Sequence, residues 1–165
     1  MDTKQLMLAK AITIATLGHD GQFDKGGNPY ILHPLTVMYN MRQQGFDIET
    51  QCIAVLHDVL EDNASWTVER LAEEGMSKEV IDGLVLMVHT RGVDYFDYIE
   101  GMKHNIRTLR VKKGDIEHNF DIRRLKGLRP KDFARLEKYS KAYVLVQKLI
   151  DNYITIETFK KENLL

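Results

Sequence analysis

Apolar positions recur every three or four residues through nearly the whole chain, the spacing of an α-helix rather than a strand. Leu6, Ala9, Thr13 and Leu17 follow it, so residues 2–18 read as a first helix. Gly18-His19-Asp20-Gly21 breaks the pattern, and residues 19–33, with Gly26, Gly27 and Asn28-Pro29, read as an ordered loop rich in turn chemistry. His33-Pro34 begins a second helix that runs to about Gly45, with proline suited to its first turn. Residues 48–62 read as one continuous helix. Ser65-Trp66-Thr67 opens another that ends at Glu74-Gly75, and Ser77 is placed to cap a helix over 78–90. Residues 94–104 and 106–126 give two more, the second with a break expected near Gly114. Arg129-Pro130 starts a long final helix to about Ile150, and the last fifteen residues read as a separate short helix docking through Ile154, Ile156 and Phe159. No strand alternation, internal repeat or low-complexity tract interrupts the series. The pattern predicts an all-α fold, with residues 1–165 forming one domain.

Composition agrees. A chain of 165 residues with 44% hydrophobic and 28% charged positions suits a folded protein with a real core. The single cysteine, Cys52, sits in an apolar run and reads as a small core residue rather than a nucleophile. The start lacks the basic flank and apolar stretch of a secretory signal, and no apolar segment approaches the roughly 20 residues that cross a bilayer. A cytoplasmic location with no membrane partner is the expectation.

The net charge of −1 hides an uneven distribution, because residues 1–102 carry 7 Lys/Arg and 16 Asp/Glu while residues 103–165 carry 16 and 8. Mutual neutralisation of the two halves accounts for part of this. It also suits a site where carboxylates hold a cation and basic groups meet an anionic substrate. The near-neutral total argues against a nucleic-acid partner.

The segment His57-Asp58-Val59-Leu60-Glu61-Asp62 concentrates four potential ligands or acid–base groups beside apolar positions. On a helix turning about 100° per residue, those four share one side, with Ile53, Leu56 and Leu60 on the other. Carboxylates next to a core are costly unless a positive charge sits among them, and a divalent metal supplies one. His33, fixed before Pro34, and Asp115, far along the chain, complete a pattern H…HD…D. Glu61, one turn beyond His57, can reach a water beside that metal and act as a general base.

That spread pattern resembles the HD-domain metal-dependent phosphohydrolases, an all-helical superfamily. The surrounding stretches sharpen the resemblance. His19-Asp20-Gly21-Gln22, Gly27-Asn28-Pro29-Tyr30-Ile31-Leu32-His33-Pro34, Leu56-His57-Asp58-Val59-Leu60-Glu61-Asp62 and Asp115-Ile116-Glu117-His118-Asn119 occur in that order. Together they are similar to the hydrolase domain of RelA/SpoT-like proteins and of stand-alone small alarmone hydrolases, over about residues 5–140. The resemblance implies an HD-type helical bundle with a C-terminal helical extension. It implies metal binding by His33, His57, Asp58 and Asp115, usually of manganese, with iron, zinc and magnesium also compatible. Glu61 and Asp62 match the pair that positions or deprotonates the attacking water, and Lys25 and Asn119 match residues near the substrate. The implied reaction is removal of the 3′-pyrophosphate from (p)ppGpp, a small anionic nucleotide, with no covalent intermediate.

Two stretches depart from the family. Where members carry Gln-x-Arg-Lys, this chain has Gln22-Phe23-Asp24-Lys25. In the late motif Ile116 stands where Arg is usual and Ile122 where Thr is. An anion in place of a cation at position 24 is expected to disfavour a highly charged substrate. A nucleotide phosphatase of different specificity, acting for example on NADPH, is therefore an alternative, and a non-catalytic nucleotide-binding module is another.

The remaining candidates carry weaker signals. His89 and His104 read as structural, and Trp66 and Tyr30 as packing residues. His19 reads as a loop-orienting residue. For His118 a place beside Asp115 and a plain helix-face position are both open. Lys112-Lys113 and Arg123-Arg124 read as solvated faces, with phosphate contact as the alternative.

Overall fold

Cys52, Ile53, Ala54, Val55 and Leu56 have no exposed surface, so the helix that carries them is buried on every side rather than along one stripe. A helix apolar all round belongs in the centre of a bundle. In the computed structural model, which describes residues 3–125 and 127–163, this helix is α3, Ile48–Leu56. Around it pack α1 (Thr3–Gly18), α2 (Leu32–Gln43), α6 (Lys78–Met87) and α8 (Ile106–Phe120). The short α4 (Val59–Asp62), α5 (Val68–Glu73) and α7 (Tyr95–Glu100) complete the body, and α9 (Pro130–Glu162) lies against α7 and α8. Among the described residues there is no strand, only one isolated bridge between Phe23 and Pro29 inside the early loop.

Side-chain caps begin most of these helices. Asp47 accepts from Thr50 N at 3.0 Å, and Ser77, Thr67, Asp94 and Asn105 do the same for the helices that follow them. Each satisfies an amide with no partner inside its helix. Ser77 was legible as a cap. The turn lengths were not, so α6 and α7 are shorter than 78–90 and 94–104.

Four expectations need correction. Helix α1 exists, but its buried residues are Met7, Leu8, Ala11, Ile14 and Ala15, whereas Leu6 and Leu17 are exposed. Two stripes share the helical spacing there, and the more apolar one faces the core. The segment 48–62 is two helices, broken at His57-Asp58. The His57 Nδ1–H lies 2.8 Å from Ala54 O, the carbonyl a continuing helix would offer to the Asp58 amide. Helix α8 runs straight through Gly114, where a Cβ would come within 2.8 Å of Met41 Cε. That glycine lets α8 lie close to α2 and breaks nothing. Finally, α9 continues for 33 residues to Glu162, and Ile154, Ile156 and Phe159 are exposed on it instead of docking as a separate helix.

The charge asymmetry is partly neutralised across the fold. Arg107 pairs with Asp47 at 2.7 Å, and Arg124 stands 3.5 Å from Asp24. No described helix is long and apolar enough to cross a membrane.

Candidate metal centre and cleft

The break after α3 turns His57 and Asp58 toward α2 and α8. His33, in the first turn of α2, and Asp115, on α8, meet them there. His33 Nε2 lies 3.2 Å from His57 Nε2, 3.1 Å from Asp115 Oδ1 and 3.7 Å from Asp58 Oδ2. His57 Nε2 lies 3.1 Å from Asp58 Oδ2 and 3.6 Å from Asp115 Oδ1. An ion about 2.1 Å from its donors needs neighbouring donors about 3.0–3.4 Å apart, a spacing that His33, His57 and Asp58 approach at 3.2, 3.1 and 3.7 Å. His33, His57 and Asp58 form the tight group, with ligand atoms all within 4.8 Å of one another, and Asp115 joins through the two imidazoles.

Supporting bonds aim these groups. The His57 Nδ1–H is taken by Ala54 O, which leaves the Nε2 lone pair facing the cluster. Tyr30, expected only to pack, donates its hydroxyl to Asp58 Oδ2 at 2.6 Å. Lys112, expected on a solvated face, is buried and pairs with Asp115 Oδ2 at 3.0 Å. Asn119 Nδ2 donates to Asp115 Oδ1 at 2.5 Å. The spacing of Lys112 three residues before Asp115 was the one signal in the sequence for that pair. Nothing local marked Tyr30, because its partner lies 28 residues away.

The electrostatics call for positive charge. Burial by itself would lower the His57 pKa, but Asp58 and Asp115 outweigh it and raise the value well above the ordinary one. Burial likewise opposes ionisation of Asp58, yet the His57 imidazole draws its carboxyl down to about 2. For Asp115, Lys112 and the two imidazoles overcome burial and hold the carboxyl well below its usual range. Burial and the Asp58 charge raise the Tyr30 phenol, so it stays a donor. Carboxylates that hold a proton on a neighbouring imidazole also attract a cation that displaces it.

Asp58 and Asp115 of the cluster line a cleft of about 390 Å³. Lys25 and Asn119 line it, as does Glu61, whose Oε2 accepts from His89 N at 3.1 Å. Asp62 is not among the described lining residues. Its Oδ2 accepts from Gln22 Nε2 at 2.9 Å, and Gln22 Oε1 meets His19 Nδ1 at 2.7 Å. His19 therefore orients the early loop, as expected. Trp66 is buried and stacks against Arg70, and His104 is exposed. His89, expected to be structural, contributes to the cleft wall along with Arg124, Arg135 and Tyr139. His118 meets the His33 ring, Nδ1 to Nδ1, at 2.5 Å. Burial, then His33 and Arg124, lower its pKa to about 4, so it is neutral at physiological pH. Cys52 stays in the core, where burial pushes its thiol up to about 12 and leaves it unreactive.

Position 24 differs from its expected role. Asp24 Oδ1 accepts from Gly26 N at 2.8 Å and Asn28 N at 2.9 Å, and Oδ2 faces Arg124. The carboxylate is engaged in shaping the loop and is partly neutralised, so it repels an anion less than a bare charge does.

No protein-family model matches the chain. Among curated proteins, it is 39% identical over 135 residues to the guanosine-3′,5′-bis(diphosphate) 3′-pyrophosphohydrolase of Haemophilus influenzae, a match covering 76% of this chain and 20% of that protein. It is 29% identical over 141 residues to the bifunctional (p)ppGpp synthase/hydrolase SpoT of Escherichia coli, covering 79% of this chain and 20% of that one. The chain thus spans about a fifth of the length of these relatives. Among solved structures, a metazoan ortholog of SpoT described as hydrolysing ppGpp aligns with a TM-score of 0.67 and 19% identity, over 89% of this chain and 85% of that one. That likeness establishes the same helical fold.

Proposed function

This chain is a relative of the RelA/SpoT-like proteins, similar to one segment of them, and from that premise we propose that it is a metal-dependent phosphohydrolase of a small nucleotide, acting as a (p)ppGpp 3′-pyrophosphohydrolase. The observation that carries the reading is the cluster of His33, His57 and Asp58, with ligand atoms within 4.8 Å of one another and Asp115 against both imidazoles, beside a cleft lined by Asp58, Asp115 and Glu61. These four residues would hold the ion, manganese by analogy with the family. When bound, a divalent ion withdraws charge from phosphoryl oxygens and makes water a better nucleophile.

The chain's own groups do the rest. Glu61 Oε2 is fixed by the His89 amide, which leaves Oε1 to take a proton from the attacking water. Water attacks phosphorus in line and the 3′ oxygen leaves, without a covalent enzyme intermediate. Asp62 supports that geometry indirectly, by holding Gln22 and the early loop. The Lys25 ammonium meets phosphate at the cleft mouth. Asn119, donating to Asp115, keeps its carbonyl for a sugar hydroxyl. We further assign the whole of 1–165 to one domain in the cytoplasm.

A nucleotide phosphatase of different specificity is the second reading, favoured by Asp24 in the cleft wall. Purified protein with Mn²⁺ should release pyrophosphate from ppGpp faster than it hydrolyses NADPH or ordinary nucleoside phosphates. A preference for another nucleotide in the panel would transfer the assignment to the second reading. If no nucleotide is cleaved with any divalent ion, the enzyme reading fails and a binding module takes its place.

A further inference from the structure

Arg124, in the 3₁₀ turn Ile122–Arg124 after α8, reaches two places at once. Its Nη1 donates to His118 O at 2.9 Å, and its Nη2 stands 3.5 Å from Asp24 Oδ2. His118 O belongs to the last turn of α8, where its backbone donor is the Asp121 amide at 3.4 Å and a basic side chain is a suitable second partner. Arg124 therefore pins the turn that carries the His118 ring.

The His118 ring meets His33 edge to edge. Nδ1 is 2.5 Å from Nδ1, the ring planes are only 17° apart, and the centroids are 4.8 Å apart. A single hydrogen lies between the two nitrogens, so one is donor and the other acceptor. His33 Nε2 faces Asp115, Asp58 and His57. Its lone pair is free for an ion only if the hydrogen is on His33 Nδ1, which makes His118 Nδ1 the acceptor. Each of the two clustered imidazoles then has its own Nδ1–H acceptor, Ala54 O for His57 and His118 for His33.

We propose that His118 is a positioning residue of the metal centre, accepting the His33 Nδ1–H and so presenting Nε2 to the ion, and that Arg124 acts on the site through His118. The inference rests on the reading that the cluster holds a divalent ion. It also gives Asp24, the position where the chain departs from its relatives, a side-chain route to the first turn of α2 through Arg124 and His118.

Calorimetric titration of the purified chain with MnCl₂ tests this without any substrate. His118→Phe keeps a ring but no acceptor and should weaken Mn²⁺ binding about 10- to 100-fold, the usual cost of losing such a partner. His118→Asn places an oxygen near the Nδ1 position and should recover most of that loss. Arg124→Ala should weaken binding in the same direction, and add nothing further in the His118→Phe background. Circular dichroism melts of each variant separate these effects from unfolding. Wild-type affinity in folded His118→Phe overturns the proposal, as does an Asn variant as weak as the Phe variant. Additive losses from Arg124→Ala and His118→Phe overturn the link through His118. A wild-type chain that takes up no divalent ion instead removes the metal reading itself.

Discussion

At His57 one ring nitrogen is committed to Ala54 O, so the other, facing two carboxylates, is placed to offer its lone pair to a cation set among them. Its neighbour Asp58 has a quarter-exposed side chain, at 25%, and can be cut back without leaving a deep cavity. Asp58→Ala should therefore fold and lose stoichiometric Mn²⁺, as read by metal analysis after gel filtration. Full retention would sink its assignment as a ligand. Glu61→Gln should do the opposite, keeping the ion while lowering turnover by about 10²-fold or more, the range for loss of a general base. These residues were legible because their chemistry is unusual for a helical core. Tyr30, Lys112 and Arg124 were not, because tyrosine, lysine and arginine are ordinary anywhere on a helix surface. Their roles come from partners that the bundle brings to them.

Among the elements, α3 carries the most consequence, because its C-terminal end supplies two of the four proposed ligands. Its N-terminus depends on Asp47, which caps Thr50 and pairs with Arg107. Burial pulls the Asp47 carboxyl upward, but Arg107 and Thr50 hold it down to about 2, below the ordinary 3.8. A depressed folded value gives stability that is fully present above the unfolded value and disappears as pH falls through the folded one. Asp47→Ala should cost about 1–2 kcal/mol in urea unfolding at neutral pH, the worth of a cap and an exposed pair. The difference from wild type should shrink as pH is taken from about 4 to about 2. At 43% exposure the ionic share is screened, and about 1 kcal/mol or less of the total is expected to titrate. A difference that does not change with pH would show that the carboxyl's charge contributes nothing. Helix existence was readable from spacing and caps. The phase of α1 and the break in α3 were not, since periodicity identifies a stripe but does not choose between two, and a ring competing for a backbone carbonyl leaves no mark in it.

Across the whole molecule, the body closes around α3 while α9 runs on past it. Leu149 and Ile150 are the last buried apolar residues of α9, and Ile154, Ile156 and Phe159 beyond them are exposed. Ending the chain after Ile150 should change unfolding free energy by less than about 1 kcal/mol and leave Mn²⁺ affinity unaltered. A loss of several kcal/mol would show that the tail packs on the body. The sequence by itself determined the helical class and most helix starts and singled out the four proposed ligands by residue type, because propensity, capping and side-chain type are local properties. Tertiary structure alone decided that Glu61 lines the cleft and Asp62 does not, that Lys112 neutralises Asp115, and that Asp24 turns inward to its loop and Arg124. Each of these depends on which side chain meets which across the bundle. Such meetings are set by helix phase and packing between segments tens of residues apart, information that no single stretch of the chain contains.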